Sequence, residues 1–395
     1  MIAGSSGRYV EISLTGDLAR AFVPDPLPPR LDIGPELRRS LDEALHALGG
    51  LSASAPFFPD RELLLYLYVR KEAVLSSQIE GTQSSLSDLL LFEQKGVPGV
   101  PMDDVEEVSS YVAALNHGMD RLREGMPISN RLIREIHGVL LTTGRGADKA
   151  PGEFRRSQNW IGGSSPSRAS HVPPPPELVE DCMGQLEGYL HSPQAAFEPL
   201  VAAALAHVQF ETIHPFLDGN GRVGRLLIAL LLTDAGLLSE PILYLSLYFK
   251  AHRDEYYRLL DGVRESSGWE PWLAFFARAT RDTARQAIDT ARRVSERLQG
   301  DRDSLASLGR GASKALVVFE SFRSRSVRTI AQIAHETGLV PNTIAGALES
   351  LQSLGIIREL TGRKRDRIYA HARLIAILSE GTEPLLGCIA AFEQV

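Results

Sequence analysis

The sequence predicts a mainly α protein, in which a large helical domain with one short β-hairpin precedes a small winged helix-turn-helix unit. Three observations carry that expectation. From Glu36 to Leu298, apolar residues recur at helical spacing in nearly every stretch. One segment, GEFRRSQNWIGGSSPSRASHVPPPP at 152–176, breaks the period with alternating polar and aromatic residues around a Gly/Ser turn, as in a short hairpin. Beyond residue 300 the charge balance reverses. Residues 310–375 hold 11 Lys/Arg against 5 Asp/Glu, which leaves +6 there and −13 in the remainder of a chain of net charge −7.

In chain order, residues 1–35 include VPDPLPPRL, too rich in proline for helix, and read as an extended leader wrapping a domain. Helices follow in ELRRSLDEALHALGG, RELLLYLYVRKEAVLSSQIEG, SSLSDLLLFEQ, DVEEVSSYVAALNHGMDRL, RLIREIHGVLLT and PELVEDCMGQLEGYLH. After the 152–176 interruption they resume in PLVAAALAHVQFETI, RLLIALLLTDAG, FKAHRDEYYRLLDGVRES and a long run from Trp269. QGDRDSLASLGRGAS is polar and glycine-bearing, and reads as a linker. Beyond it, TIAQIAHETGL is a helix ending at Gly338, and VPNTIAGALESLQSLG is a second with Pro341 in its first turn. IIRELTGRKRDRIYA completes the unit as a β-ribbon.

Composition bounds the function. The 395 residues are 44% apolar and 23% charged, ordinary for a globular chain of two or three domains. Two cysteines, Cys182 and Cys388, lie far apart without metal-like spacing, and the N-terminus lacks an apolar signal region, so a reduced, cytoplasmic setting is expected. The longest apolar run, Leu226 to Leu232, is well short of the roughly 20 residues a membrane span needs.

The chemistry concentrates in HPFLDGNGRVGR, residues 214–225, immediately before an apolar helix. Glycines in DGNG permit a tight turn that aims backbone N–H groups forward at the helix start, an arrangement that collects anions. Arg222 and Arg225 sit three apart on one helical face at the positive end of the helix dipole, where they need something negative; a polyphosphate fits. Asp218 offers a hard oxygen ligand of the kind that binds Mg²⁺ together with substrate phosphates. His214 is the nearby side chain suited to general base work at neutral pH. Two other readings fail. An EF-hand loop starting at Asp218 would need Glu where Ala229 stands, and a phosphate loop of the Walker type would need GKS or GKT.

The stretch resembles the active-site motif of Fic family AMP transferases, H-P-F-x-D/E-G-N-G-R-x-x-R, at every specified position, and the similarity runs over roughly residues 5–290. The resemblance implies an ATP- and Mg²⁺-dependent protein adenylyltransferase. In it His214 takes the proton of a Ser, Thr or Tyr hydroxyl on a target protein, or on the chain itself, and the hydroxyl attacks the α-phosphorus with release of pyrophosphate. Asp218 would hold Mg²⁺, while Arg222 and the backbone of Gly219, Asn220 and Gly221 would cradle the α- and β-phosphates. Arg225 would reach the γ-phosphate. Phe216 is expected to anchor the loop in the core, and Tyr257 or its neighbour Tyr256 to line the adenine pocket. The 152–176 hairpin would be the family's flap, pairing with an extended target segment; Arg155, Arg156 and His171 could equally form a polar rim.

SSQIEGT, residues 76–82, ends the helix from Arg61 with Glu80 at the negative end of its dipole, so that carboxylate too needs a partner. Ser76, Glu80 and Gly81 match the Fic inhibitory motif S/T-x-x-x-E-G/N. The resemblance implies that Glu80 pairs with Arg225 and blocks the γ-phosphate position. With the change of character near residue 300, the chain divides into a leader and inhibitory-helix region at 1–110, the catalytic domain at 111–295, a linker at 296–312, the winged helix at 313–375 and a tail at 376–395.

Alternatives come from other classes. A Fic-fold kinase or other phosphotransferase is disfavoured, because Doc-like kinases carry Lys where Gly221 stands; removal of AMP by the same site stays open. A DNA-binding regulator would use Arg323, Arg325, Arg328, Arg363, Lys364, Arg365 and Arg367 on phosphates. Against it, the candidate recognition helix PNTIAGALESLQSL lacks Lys and Arg, which suits a protein-binding or homodimer-forming role at least as well.

Overall fold

The computed structural model describes residues 6–14, 17–58, 60–94, 102–144, 146–192, 198–323, 325–363 and 365–383. Lys364, Cys388 and the expected tail beyond residue 383 lie outside the described residues.

The leader is not extended chain. It forms an antiparallel hairpin, β1 (Gly7–Leu14) and β2 (Asp17–Pro24), in register from Gly7 opposite Pro24 to Leu14 opposite Asp17. The prolines that argued against regular structure begin where β2 ends, so they terminate the hairpin instead of interrupting it.

Helices α1 (Pro35–Ser54), α2 (Arg61–Ile79), α3 (Leu86–Glu93), α4 (Met102–Arg123), α5 (Asn130–Leu140), α6 (Pro176–Leu190), α7 (Pro199–Ile213) and α8 (Asn220–Asp234) follow. Helices α2, α7 and α8 are central. Every residue of α2 from Lys71 to Ile79 is buried, as is nearly all of α7. A helix apolar on one side only would expose the other; α7 and α8 are covered nearly all round and read as near-continuous apolar runs, whereas the buried stretch of α2, KEAVLSSQI, carries polar side chains inward. Short α9 (Ser246–Ala251) and α10 (Arg253–Ser266) lead into α11, which runs unbroken from Trp269 to Ser304 alongside α1.

Two expectations are corrected. Within 152–176 the described backbone has one isolated antiparallel bridge, Ile161 with His171, and no ladder. Gly162 and Gly163, both at positive φ, fold the chain back, and the prolines at 173–176 have no N–H to donate. Phe22 of β2 donates its N–H to the Val172 carbonyl at 2.8 Å, so the leader hairpin backs this segment. The supposed linker at 296–312 is the end of α11 followed by a 3-10 turn, Leu305–Gly311. Val294, Leu298, Asp301 and Leu305 face inward there. Asp301 is fully buried and bridges Arg297 at 2.7 Å, Arg373 at 3.0 Å and His371 at 3.2 Å, which ties α11 to the C-terminal unit.

That unit consists of α12 (Ala312–Ser321), β3 (Val327–Thr329), α13 (Ile330–Thr337), α14 (Pro341–Ser353), β4 (Arg358–Glu359), β5 (Ile368–Ala370) and α15 (Ala372–Ser379). Its antiparallel sheet is ordered β3-β5-β4. Thr329 and Gln332 form a reciprocal cap at the start of α13, Gly338 closes it at φ 69°, and Pro341 opens α14. Among the described residues no helix is long and apolar enough to cross a membrane.

Candidate active site

Residues 214–219 connect α7 to α8 through a loop fixed at every turn. His214 closes α7 in the left-handed region, φ 50° and ψ 60°, a conformation that costs a non-glycine residue about 1 kcal/mol or more. Arg155 holds it there. Only 3% exposed, its guanidinium donates to the carbonyls of His214 at 2.9 Å and Pro174 at 2.6 Å, and its N–H donates to the Pro215 carbonyl at 2.8 Å. His171, whose ring hydrogen-bonds the Thr212 carbonyl at 3.0 Å, is equally buried. Neither belongs to a polar rim, although Arg156 is exposed.

Phe216 is buried as an anchor, as its apolar flanks suggest. Its ring stacks on His137 with centroids 3.7 Å apart, and the Asn220 side chain clamps its backbone in both directions at 2.8 Å. Since the Gly152 N–H donates to His137 Nδ1 at 2.8 Å, His137 Nε2 carries the proton and donates to the Asp218 carbonyl at 3.1 Å. Gly219 then takes φ 77° to enter α8.

The two arginines of the motif face different partners. Arg222, 1% exposed, pairs with Glu107 of α4 at 2.8 Å and with Asp218 at 3.2 Å. Arg225 donates to Glu80 Oε1 at 2.6 Å, to Ser76 Oγ at 2.9 Å and to the Ser76 carbonyl at 3.0 Å. Glu80 stands where α2 ends, followed by Gly81 at φ 103°. A Cβ at Gly221 would lie 2.2 Å from Glu80 Oε1, so only glycine there admits the carboxylate to the mouth of α8. Asp218 is partly exposed, and its Oδ1 already accepts the Gly219 N–H at 2.5 Å. Tyr257 is half-buried beneath Arg253 and within electrostatic reach of Glu80 and Arg225, whereas Tyr256 is core, its hydroxyl on His207 at 2.8 Å.

Electrostatics follow from burial. Burial, then Arg155 and Arg264, push His214 down to about 3, so its imidazole is neutral. For Glu80, burial acts to raise the pKa, but the Arg225 charge and hydrogen bond outweigh it and the carboxyl stays below its usual value. Glu211, behind Arg225, is pushed up to about 7 by burial.

The structure thus brings His214, Asp218, Gly219, Asn220, Gly221, Arg222, Arg225, Ser76, Glu80 and Gly81 to one place, with Tyr257 beside them. Sequence reasoning missed His137, Glu107 and Glu211, and it offered Arg155 as a rim residue where the structure makes it a buried support of the loop. Each is a titratable or charged residue on an otherwise apolar helical stripe or in a glycine-rich turn, the one signal that sets it apart.

Residues 38–120 match the Fic/DOC family N-terminal model and residues 127–232 the Fic/DOC family model. Protein adenylyltransferase Fic from Aedes aegypti is 35% identical over 209 residues, 52% of this chain and 39% of that protein; its Culex quinquefasciatus counterpart is 33% identical over the same shares. The chain therefore spans well under two thirds of these relatives. Among solved structures, a Fic family protein from Desulfovibrio desulfuricans G20 superposes with a TM-score of 0.58 at 21% identity, covering 87% of this chain and 98% of that one. Fic-1 from C. elegans gives 0.51 at 24% identity, covering 65% and 74%. With both family models falling on the helices that build this loop and its α2 partner, the chain carries the N-terminal and Fic domains of the Fic/DOC family.

Proposed function

We propose that the chain transfers AMP from ATP to a Ser, Thr or Tyr hydroxyl of a target protein, itself included, in the cytoplasm, and that Glu80 restrains the reaction. The observation that carries the reading is the Glu80–Arg225 pair: a buried guanidinium at a helix N-terminus whose present partner is a carboxylate from another helix. A phosphate is the substitute such a fork accepts best.

In this reading the target oxygen attacks the α-phosphorus, the bond to the β-phosphate oxygen breaks and pyrophosphate leaves, while His214 takes the hydroxyl proton. Arg155 fixes the ring's position. A neutral imidazole is ready to accept a proton, and a polyanion beside it raises its pKa towards the working range. The N–H groups at Gly219 to Gly221 and Arg222 orient the α- and β-phosphates, Arg225 binds the γ-phosphate, and Tyr257 lines the adenine. Asp218, a partly exposed carboxylate facing the phosphate side, suits Mg²⁺, which is held by one or two carboxylates together with phosphates. When bound there, the cation neutralises phosphate charge.

Incubation with α-labelled and, separately, γ-labelled ATP in cell lysate tests the reading. Protein label from the α-position is expected; label from the γ-position alone would indicate a kinase, and release of AMP from labelled protein would indicate hydrolytic removal of AMP by water. We also read α12 to β5 as a winged helix. Its exposed Arg358, Arg363, Arg365 and Arg367 favour an anionic partner, while α14 offers no cation, so duplex DNA binding by this unit is a second reading, tested by salt-dependent retention of a DNA duplex by the full chain.

A further inference from the structure

The helix that delivers Glu80 also holds part of the C-terminal unit. Three buried side chains converge on the four-residue turn that follows α15. Lys71 of α2 donates to the Glu380 carbonyl at 2.7 Å, and Gln78 of α2 donates to the Thr382 carbonyl at 2.8 Å. Lys250 of α9 donates to the Gly381 carbonyl at 3.0 Å and also to that of Glu383. All three are at most 7% exposed. The side chain of Glu380 pairs with Arg293 of α11 at 2.7 Å, and Gly381, at φ 82°, is pressed so close to α9 that a Cβ would lie 2.6 Å from a Leu247 methyl.

Gln78 links this contact to the active site. Two residues before Glu80, its amide donates to the Ser84 carbonyl at 2.8 Å and to Thr382, and its carbonyl accepts from Lys250 at 2.6 Å. One side chain therefore spans the last turn of α2, the chain just past Glu80 and the C-terminal turn. Buried ammonium groups are tolerated only with such oxygens around them. Burial already pushes Lys71 down to about 8; emptying the site would strip Lys71, Lys250 and Gln78 of these carbonyls and leave Gln78 with Ser84 and Lys250 alone, loosening the end of α2.

We infer that α2 and α9 form a binding site for the carbonyls of a peptide turn with an adjacent acidic side chain, occupied in cis by Glu380–Glu383, and that its occupancy sets how firmly Glu80 is held on Arg225. The inference rests on reading Glu80 as the restraint on ATP binding. Any partner that moves the C-terminal unit would then act on the nucleotide site without touching it.

Two variants empty the site without altering α2 or α9: the chain ended after Ser379, and Gly381→Val in the full chain. The chain ended after Glu383 is the control. The readouts are Mg²⁺–ATP affinity by calorimetry and hydrogen exchange of the Glu80, Gly81 and Thr82 amides. Both variants are expected to speed that exchange and tighten ATP binding about five- to tenfold, with the control unchanged. Unchanged exchange and affinity in folded Gly381→Val would overturn the inference, even if Glu80→Gly tightens ATP. Faster exchange in both variants, with ATP affinity indifferent to Glu80→Gly, would instead sink the reading of Glu80 as the restraint.

Discussion

Two arginine-rich regions of this molecule share a charge and little else. At the mouth of α8, Arg222 and Arg225 are almost fully buried, each with a carboxylate from a distant helix. On the β4–β5 ribbon, Arg358, Arg363, Arg365 and Arg367 are exposed to solvent. A desolvated cation makes large demands on its partners, so every change near it has a large effect. An exposed one is screened and exchanges partners freely. Position along the chain does not reveal this difference; the surroundings decide it.

The largest test lies inside the buried region. His214→Ala should cost AMP transfer roughly 10²–10⁴-fold while ATP still binds and the melting curve is kept, because only the proton acceptor is lost. Transfer at the parent rate in that variant would remove His214 from the role.

Arg222 sharpens the comparison within the motif. Glu107→Ala leaves a buried guanidinium with Asp218 alone, and should destabilise the fold by about 3–5 kcal/mol in denaturant titration. The double change Glu107→Leu with Arg222→Met should be markedly less harmful than the single one. If Glu107→Ala were neutral, the burial argument for Arg222 would fail.

Glu80→Gly frees Arg225 and should raise both ATP affinity and AMP transfer by roughly tenfold. Arg225→Ala removes the restraint and the γ-phosphate ligand together, so adding Glu80→Gly to it should restore nothing; additive effects would show that the two do not share a function. The pH profile of Glu80→Gly offers a further check. With His214 at about 3, the free enzyme keeps its base unprotonated well below the usual histidine value, so kcat/KM should show no acid limb near pH 6.5. An ordinary histidine would lose its base form as pH falls through that value.

At the weak end, Arg363→Ser with Arg365→Ser and Arg367→Ser should leave stability within about 0.5 kcal/mol per site by thermal denaturation. A large loss would mean that the ribbon is covered and that the contrast between the regions is false.

How much could be read beforehand follows the same division. The loop's acids, cations and glycines form a fixed local pattern, and the misplaced charge of Glu80 is visible because a helix end has an electrical sign. Other parts were hidden for particular reasons. Asp301 occupies a core-facing position between Leu298 and Leu305, so an acid stands where the helical period needed an apolar residue, and a buried ion cluster reads as a linker. The leader hairpin was obscured by prolines that bound it. Arg155 and His137 support the loop across long sequence separations, which no local pattern encodes.

Helix α11 carries a final consequence. Its 36 residues span about 54 Å without a break, starting in the α1 packing and ending on the C-terminal unit. Two bodies joined by a flexible tether can melt, be clipped apart or be exchanged between proteins one at a time. Here the joint is itself a load of shared core, with Asp301 facing one body from a helix that begins in the other. Loss of either end frays the same rod, so the chain should behave as one cooperative block in heat and in digestion, and the C-terminal unit is ill suited to travel as an independent module.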